Sequence, residues 1–180
     1  MPNEFTLVTP VALPTQSGVI HLYKSMNLAD AFSVRLPSNA SRDPDLLARF
    51  IFLHQPSWIG KLTDVRDAIV ACFGLKTAKH LATLANDAKS KRLGFFKVYS
   101  TSETEIVLGE DDKHLDFRVS VLCLSGSTPE ADQLIVSTVV HCHNLLGRAY
   151  ILAIAPFHRQ VVKATLRHAA LIGWPEAAST

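Results

Sequence analysis

The sequence predicts an α+β domain: an antiparallel sheet packed against helices, with a long helix at the C-terminus. Three observations lead there. Residues 43–75 carry apolar side chains at helical spacing. Between Gly94 and His143 four segments rich in Val, Ile, Phe and Thr alternate with turn-forming residues. The connections between those segments are too short for crossover helices, so neighbouring strands must run antiparallel and the helices gather on one face.

The elements follow in order. Residues 1–20 read as an extended N-terminal arm and residues 21–180 as a single domain, a length that buries roughly 70% of its unfolded surface. In "ADAFSVRLP", Ala31, Ser33 and Arg35 alternate with Phe32, Val34 and Leu36, the pattern of a short strand. Asp43 before Pro44 is an N-cap followed by a first-turn proline. Leu46, Leu47, Phe50, Ile51 and Leu53 then form a helical stripe, which Pro56 ends. Ser57 caps a second helix whose stripe, Trp58, Leu62, Val65, Ile69 and Cys72 or Phe73, belongs to the core; Gly74 closes it. "TAKHLATLANDA" (77–88) makes a weaker helix ended by the basic "KSKRLG".

"FFKVYSTS", "TEIVLGE", "HLDFRVSVLCLSG" and "QLIVSTVVHCH" are the four meander strands, five with the early one. "RAYILAIA" leads into a final helix with Pro156 near its start. There Val162, Thr165, Leu166 and Ala169 face inward, and Arg159, Lys163 and Arg167 outward.

Composition excludes several function classes. A formal charge of +2 implies no nucleic-acid partner. Cys72, Cys123 and Cys142 stand apart in apolar runs with no CxxC, as buried free thiols of a reducing compartment do. The N-terminus lacks the form of a secretory signal and no apolar run reaches bilayer length, so a cytoplasmic setting without a membrane partner is expected. GxGxxG, GxxxxGK[ST], GxSxG and HExxH are all absent, so no cofactor is expected.

What remains is polar. In "GEDDKHLDFR", read as one strand, Glu110, Asp112, His114, Asp116, Arg118 and Ser120 share one face, opposite Leu115, Phe117, Val119, Val121 and Cys123. His141 and His143 share a face of the fourth strand, Arg148 follows in the next turn, and His158 lies at the edge of the last helix. One reading makes His114 with Asp116 or Asp112 an acid–base pair and Arg118 a clamp for a substrate anion. The other makes the stretch the wet face of a half-buried strand with its charges paired across the sheet. His141 and His143 have the spacing to share an ion with His114 or Asp116, but no ligand signature surrounds them, and no metal site is assigned.

"LGEDDKHLDFRVSV" (108–121), "STVVHCHNLLGRAY" (137–150) and "PFHRQVV" (156–162), with "SWIGKLTDVRDAIVACFGL" (57–75), resemble domain-of-unknown-function family 2867 from about Asp30 to about Ala170. The resemblance implies a bacterial protein of a family that occurs alone or fused behind a short-chain-dehydrogenase-like domain. It also implies an accessory or small-molecule role. It carries no catalytic residues, and no dehydrogenase activity, because the dinucleotide-binding part is missing. The order of elements is also similar to the helix-grip fold of START and Bet v 1-like proteins, whose sheet has more than five strands and commonly encloses an apolar ligand.

Three functions follow as expectations. The first is a domain binding a small, partly apolar ligand between sheet and last helix, oriented by Asp112, Arg118, His141, His143, Arg148 and His158. The second is an enzyme using His114 and Asp116. The third is a non-catalytic interaction or accessory protein that docks on a partner, a second copy of itself among them.

Overall fold

The computed structural model describes residues 4–61, 91–94, 96–128 and 131–177. Its strands are β1 (Thr9–Val11), β2 (Leu28–Arg35), β3 (Arg92–Leu93), β4 (Phe96–Thr101), β5 (Glu105–Asp111), β6 (Leu115–Leu124) and β7 (Gln133–Cys142). Helix α1 is Pro44–Leu53 and the C-terminal helix α2 is Leu145–Ile172. All seven strands join one antiparallel sheet in the order β1-β2-β7-β6-β5-β4-β3. The long helix laid on this sheet is the helix-grip-like arrangement that the order of elements predicts. Two strands beyond the expected five, β1 and β3, are short edge pieces. Pro10, with no N–H to offer, is tolerated in an edge strand.

One face of the sheet holds the main core. Phe32, Val34, Ile106, Leu108, Val119, Val121, Leu134 and Val136 meet Leu47, Ala48 and Ile51 of α1, Leu166 and Ala169 of α2, and Trp174 beyond it. Asp43 caps α1 as expected, its side chain accepting from the backbone N–H groups of Asp45 and Leu46. In α2 the whole "RAYILAIA" segment is helical, so Pro156 sits inside the helix rather than near its start. Its ring removes one intrahelical hydrogen bond there. Lys163, expected outside, lies over the Phe32 ring, 5.3 Å from its centroid.

The opposite face is covered by the N-terminal segment. The N-terminal segment, expected as an extended arm over residues 1–20, supplies β1 at Thr9–Val11 and then folds over the sheet, where Val19 packs with Val107, Val139, Leu13, Tyr23, Met26 and Tyr99. Glu105 fixes this cover: its carboxylate accepts from the Ser17 and Ser120 hydroxyls and, at 3.0 Å, from the Gly18 N–H.

Trp58, expected in the core, is 45% exposed, because the next residue, Ile59, takes the buried position of that turn. The remainder of that stripe from Leu62, Gly74 and the 77–88 helix lie outside the described residues. Arg92 and Leu93, expected in a basic helix end, form β3 instead. Among the described residues no helix is long and apolar enough to cross a membrane.

Candidate functional site

The stretch from Gly109 to Arg118 is a hairpin, not one strand. β5 ends at Asp111, residues 112–114 turn, and β6 begins at Leu115, with Asp111 opposite Asp116, Glu110 opposite Phe117 and Gly109 opposite Arg118. Alternation holds only within a strand, and the turn resets it. The expected one-faced ladder is therefore corrected. Glu110 shares the helix-covered face with Phe117, while Asp111 shares the other with Asp116 and Arg118.

On the helix side Glu110 pairs with Arg92 at 3.1 Å, both side chains only 10% exposed. On the other side Arg118 is held by aromatic rings and a carboxylate. Its guanidinium carbon lies 3.6 Å from the Tyr99 ring centroid and 6.0 Å from that of Tyr23. One terminal nitrogen donates to Asp111 at 2.7 Å and the other to the Phe117 carbonyl at 2.8 Å. Gly109 makes room for this: a Cβ there would stand 2.2 Å from the Phe117 oxygen and 2.9 Å from the Arg118 side chain. Burial alone would raise the Asp111 pKa, but hydrogen bonds from Tyr99 and Arg118 outweigh it and hold the carboxyl below its ordinary range. The Tyr99 hydroxyl is pushed well up, by burial first and then by its bond to Asp111; burial likewise raises Tyr23. Arg118, expected as a ligand clamp, is thus committed to its own fold.

The register of β6 on β7, Leu115 opposite Cys142 and Asp116 opposite His141, gathers the remaining candidates at one end of the sheet. His143 Nε2 lies 3.1 Å from Asp116 Oδ1, and its backbone N–H donates to the His114 carbonyl at 2.9 Å. His114 turns the other way: its Nδ1 accepts from the Asn144 side-chain amide at 2.9 Å. So His114 and Asp116, expected as the acid–base pair, are not partners; His143 stands where His114 was expected. Asn144 is also the N-cap of α2, accepting from Gly147 N–H. Gly147 must lack a side chain, since a Cβ would come within 2.2 Å of the His114 oxygen.

His141 stacks on Tyr23, centroids 5.5 Å apart, and its Nδ1 lies 2.9 Å from the Ser25 carbonyl. That oxygen only accepts, so Nδ1 carries the proton. The His141 and His143 rings meet edge to face at 5.3 Å. Asp112 serves the turn, accepting from the Lys113 N–H at 2.6 Å, and Arg148 is exposed in the first turn of α2. His158 is elsewhere. It faces the sheet from α2, 3.6 Å from Asp30 Oδ1, whose other oxygen accepts from Arg159 at 3.2 Å. Asp30 points to the same face as Phe32, so His158 lies on the opposite side of the sheet from His141 and His143.

Among the described residues no three His, Cys, Asp or Glu side chains converge as metal ligands. Cys142, between the two histidines, points into the core beside Ile151, and burial raises its thiol pKa; burial pushes Cys123 up to about 12. Neither is a poised nucleophile.

Residues 22–165 match the family described as "Protein of unknown function (DUF2867)". The chain belongs to the DUF2867 family. The matched region contains the hairpin, the histidines and most of α2. No curated protein and no solved structure matches the chain.

Asp111, Tyr99 and Tyr23 shape this end of the DUF2867 chain without standing out in the sequence, and Asn144 stands out there only as a polar residue in the turn before the last helix. Asp111 and Tyr99 have a local signal: treating "DDK" as turn residues would have split the stretch into a hairpin and brought Asp111 over Arg118. Asn144 before "LLG" is an N-cap signal. Tyr23 has none, because only the folding of the N-terminal segment over the sheet brings it to His141.

Proposed function

We propose that this DUF2867 domain binds a small, partly apolar ligand at the histidine-rich end of the sheet, on the face covered by the N-terminal segment. The observation that carries this is the convergence of His141, His143 and Asp116 beside Tyr23. The Tyr23 hydroxyl is buried and makes no hydrogen bond among the described residues. Buried polar atoms are almost always partnered, so one left over beside a polar cluster is where a ligand group or an ordered water belongs. Met26 and the Tyr23 ring supply apolar surface, and a few convergent polar groups against such surface are what small-molecule sites use. Buried free Cys123 and Cys142 suit a reducing, cytoplasmic setting.

Native mass spectrometry of the purified chain tests the reading. A species heavier than the 19.7 kDa polypeptide is expected, and Asp116→Asn combined with Tyr23→Phe should release the extra mass. A bare polypeptide for the wild type, or extra mass that the double variant retains, counts against it.

A specific contact supports a second reading, acid–base catalysis. His143 Nε2 sits 3.1 Å from Asp116, and the side chain, 37% exposed, is open to a substrate. A carboxylate orienting a histidine is the arrangement proton transfer needs. Catalysis requires that His143→Ala abolish turnover of the bound compound while its retention survives; parallel loss of both would leave binding alone.

A further inference from the structure

We infer that the outward ridge of the first half of α2 seats the protein on an anionic lipid surface. Leu145, Ala149, Leu152 and Pro156 recur at three- and four-residue spacing, which places them on one stripe of the helix. Phe157 borders it. All five are exposed, with Leu145 79%, Leu152 78% and Phe157 57% open to solvent. An apolar face of this kind, free of polar interruption over three turns, marks an interaction surface rather than a solvated one.

Charge selects the partner. α2 carries Arg148, Arg159, Lys163 and Arg167 and no Asp or Glu, and the chain has no carboxylate side chain from Gln133 to Pro175. By helical spacing Arg148 and Arg159 flank the apolar stripe on one side, Arg159 also reaching Asp30 of β2. Apolar residues bordered by arginines on a helix without carboxylates fit a bilayer rich in acidic headgroups, the leucines and phenylalanine entering the interface and the arginines meeting phosphates. A second copy fits poorly, since two-fold pairing of the ridges would bring cationic flanks together with no carboxylate in either helix. That no described helix is long and apolar enough to span a bilayer does not bear on surface seating, which uses one face of a helix already packed in the fold.

The test is co-sedimentation of the full chain with vesicles of phosphatidylcholine alone and of phosphatidylcholine mixed with phosphatidylglycerol. Binding is expected only to the mixed vesicles, weakening as salt is raised. Leu152→Ser and Phe157→Ser should each weaken partitioning about ten-fold, and Arg148→Glu should reduce it further, with the melting temperature unchanged because these side chains are exposed. If either serine variant melts early, Leu145→Ser is read in its place. No sedimentation with acidic vesicles overturns the inference. So does wild-type partitioning of the serine variants, which would mean charge adhesion alone. A dimer in light scattering that Leu152→Ser dissolves also overturns it, making a second copy the occupant.

Discussion

Glu110 and Asp111 are adjacent in the chain, carry the same charge and each pair with an arginine, yet they belong to different environments. Glu110 faces the helices, and both it and Arg92 are almost entirely removed from water. Asp111 faces the N-terminal cover, half exposed, and holds an arginine stacked on tyrosine. The first pair is set in a layer dominated by Phe, Val, Leu and Ile; the second lies in a polar layer that continues through Asp116 to the histidines. One peptide unit thus separates a buried ion pair from the edge of the candidate site. Breaking the first should disturb folding, and breaking the second should disturb mainly its surroundings.

That contrast can be broken or sharpened by four substitutions. The largest effect is expected from Glu110→Ala, which removes the carboxylate from an ion pair only 10% exposed. Urea unfolding should show a loss of about 3–5 kcal/mol, and a loss below about 1 kcal/mol would mean the inner pair is as well solvated as a surface one. Gly147→Ala drives a methyl group into the His114 carbonyl and should cost about 1–3 kcal/mol, read from the same transition. Its backbone shift should also move the His114 and His143 ring resonances in NMR spectra; unmoved rings would disconnect helix packing from the site.

Asp111→Asn should cost only about 1 kcal/mol at neutral pH, because its side chain is half exposed. Its pH dependence is diagnostic. The folded-state pKa of Asp111 lies below the unfolded value of about 3.9, so its contribution is present in full above that pH and disappears as pH falls through the folded pKa. The stability difference between wild type and Asp111→Asn should therefore close on acidification, and a gap that widens would contradict the assigned bonds. Smallest of all, Glu4→Gln removes an exposed partner of Arg35 and should change stability by less than about 0.5 kcal/mol.

The difference between these pairs also marks where the sequence was legible. The strands of the meander, the Asp43 cap and the inward face of the second half of α2 could be read because each depends on near neighbours in the chain. The charged stretch could not be read by parity alone, since one three-residue turn reversed the face of everything before it. The histidines were recognisable as candidates, but their partners were not. His143, His114 and His141 found Asp116, Asn144 and Tyr23 through pairing of β6 with β7 and folding of the N-terminal segment over both.

By itself, then, the sequence determined an α+β domain with an antiparallel meander, a capped first helix, a long last helix and a polar set at the strand ends. Those features follow from local periodicity, capping and turn chemistry. Only the tertiary structure decided that β2 pairs with β7, that residues 12–26 cover the second face of the sheet, and that His158 stands apart from His141 and His143. These depend on contacts between residues about a hundred positions apart. Their register is chosen by which apolar face the whole sheet can bury, and no local pattern encodes that choice.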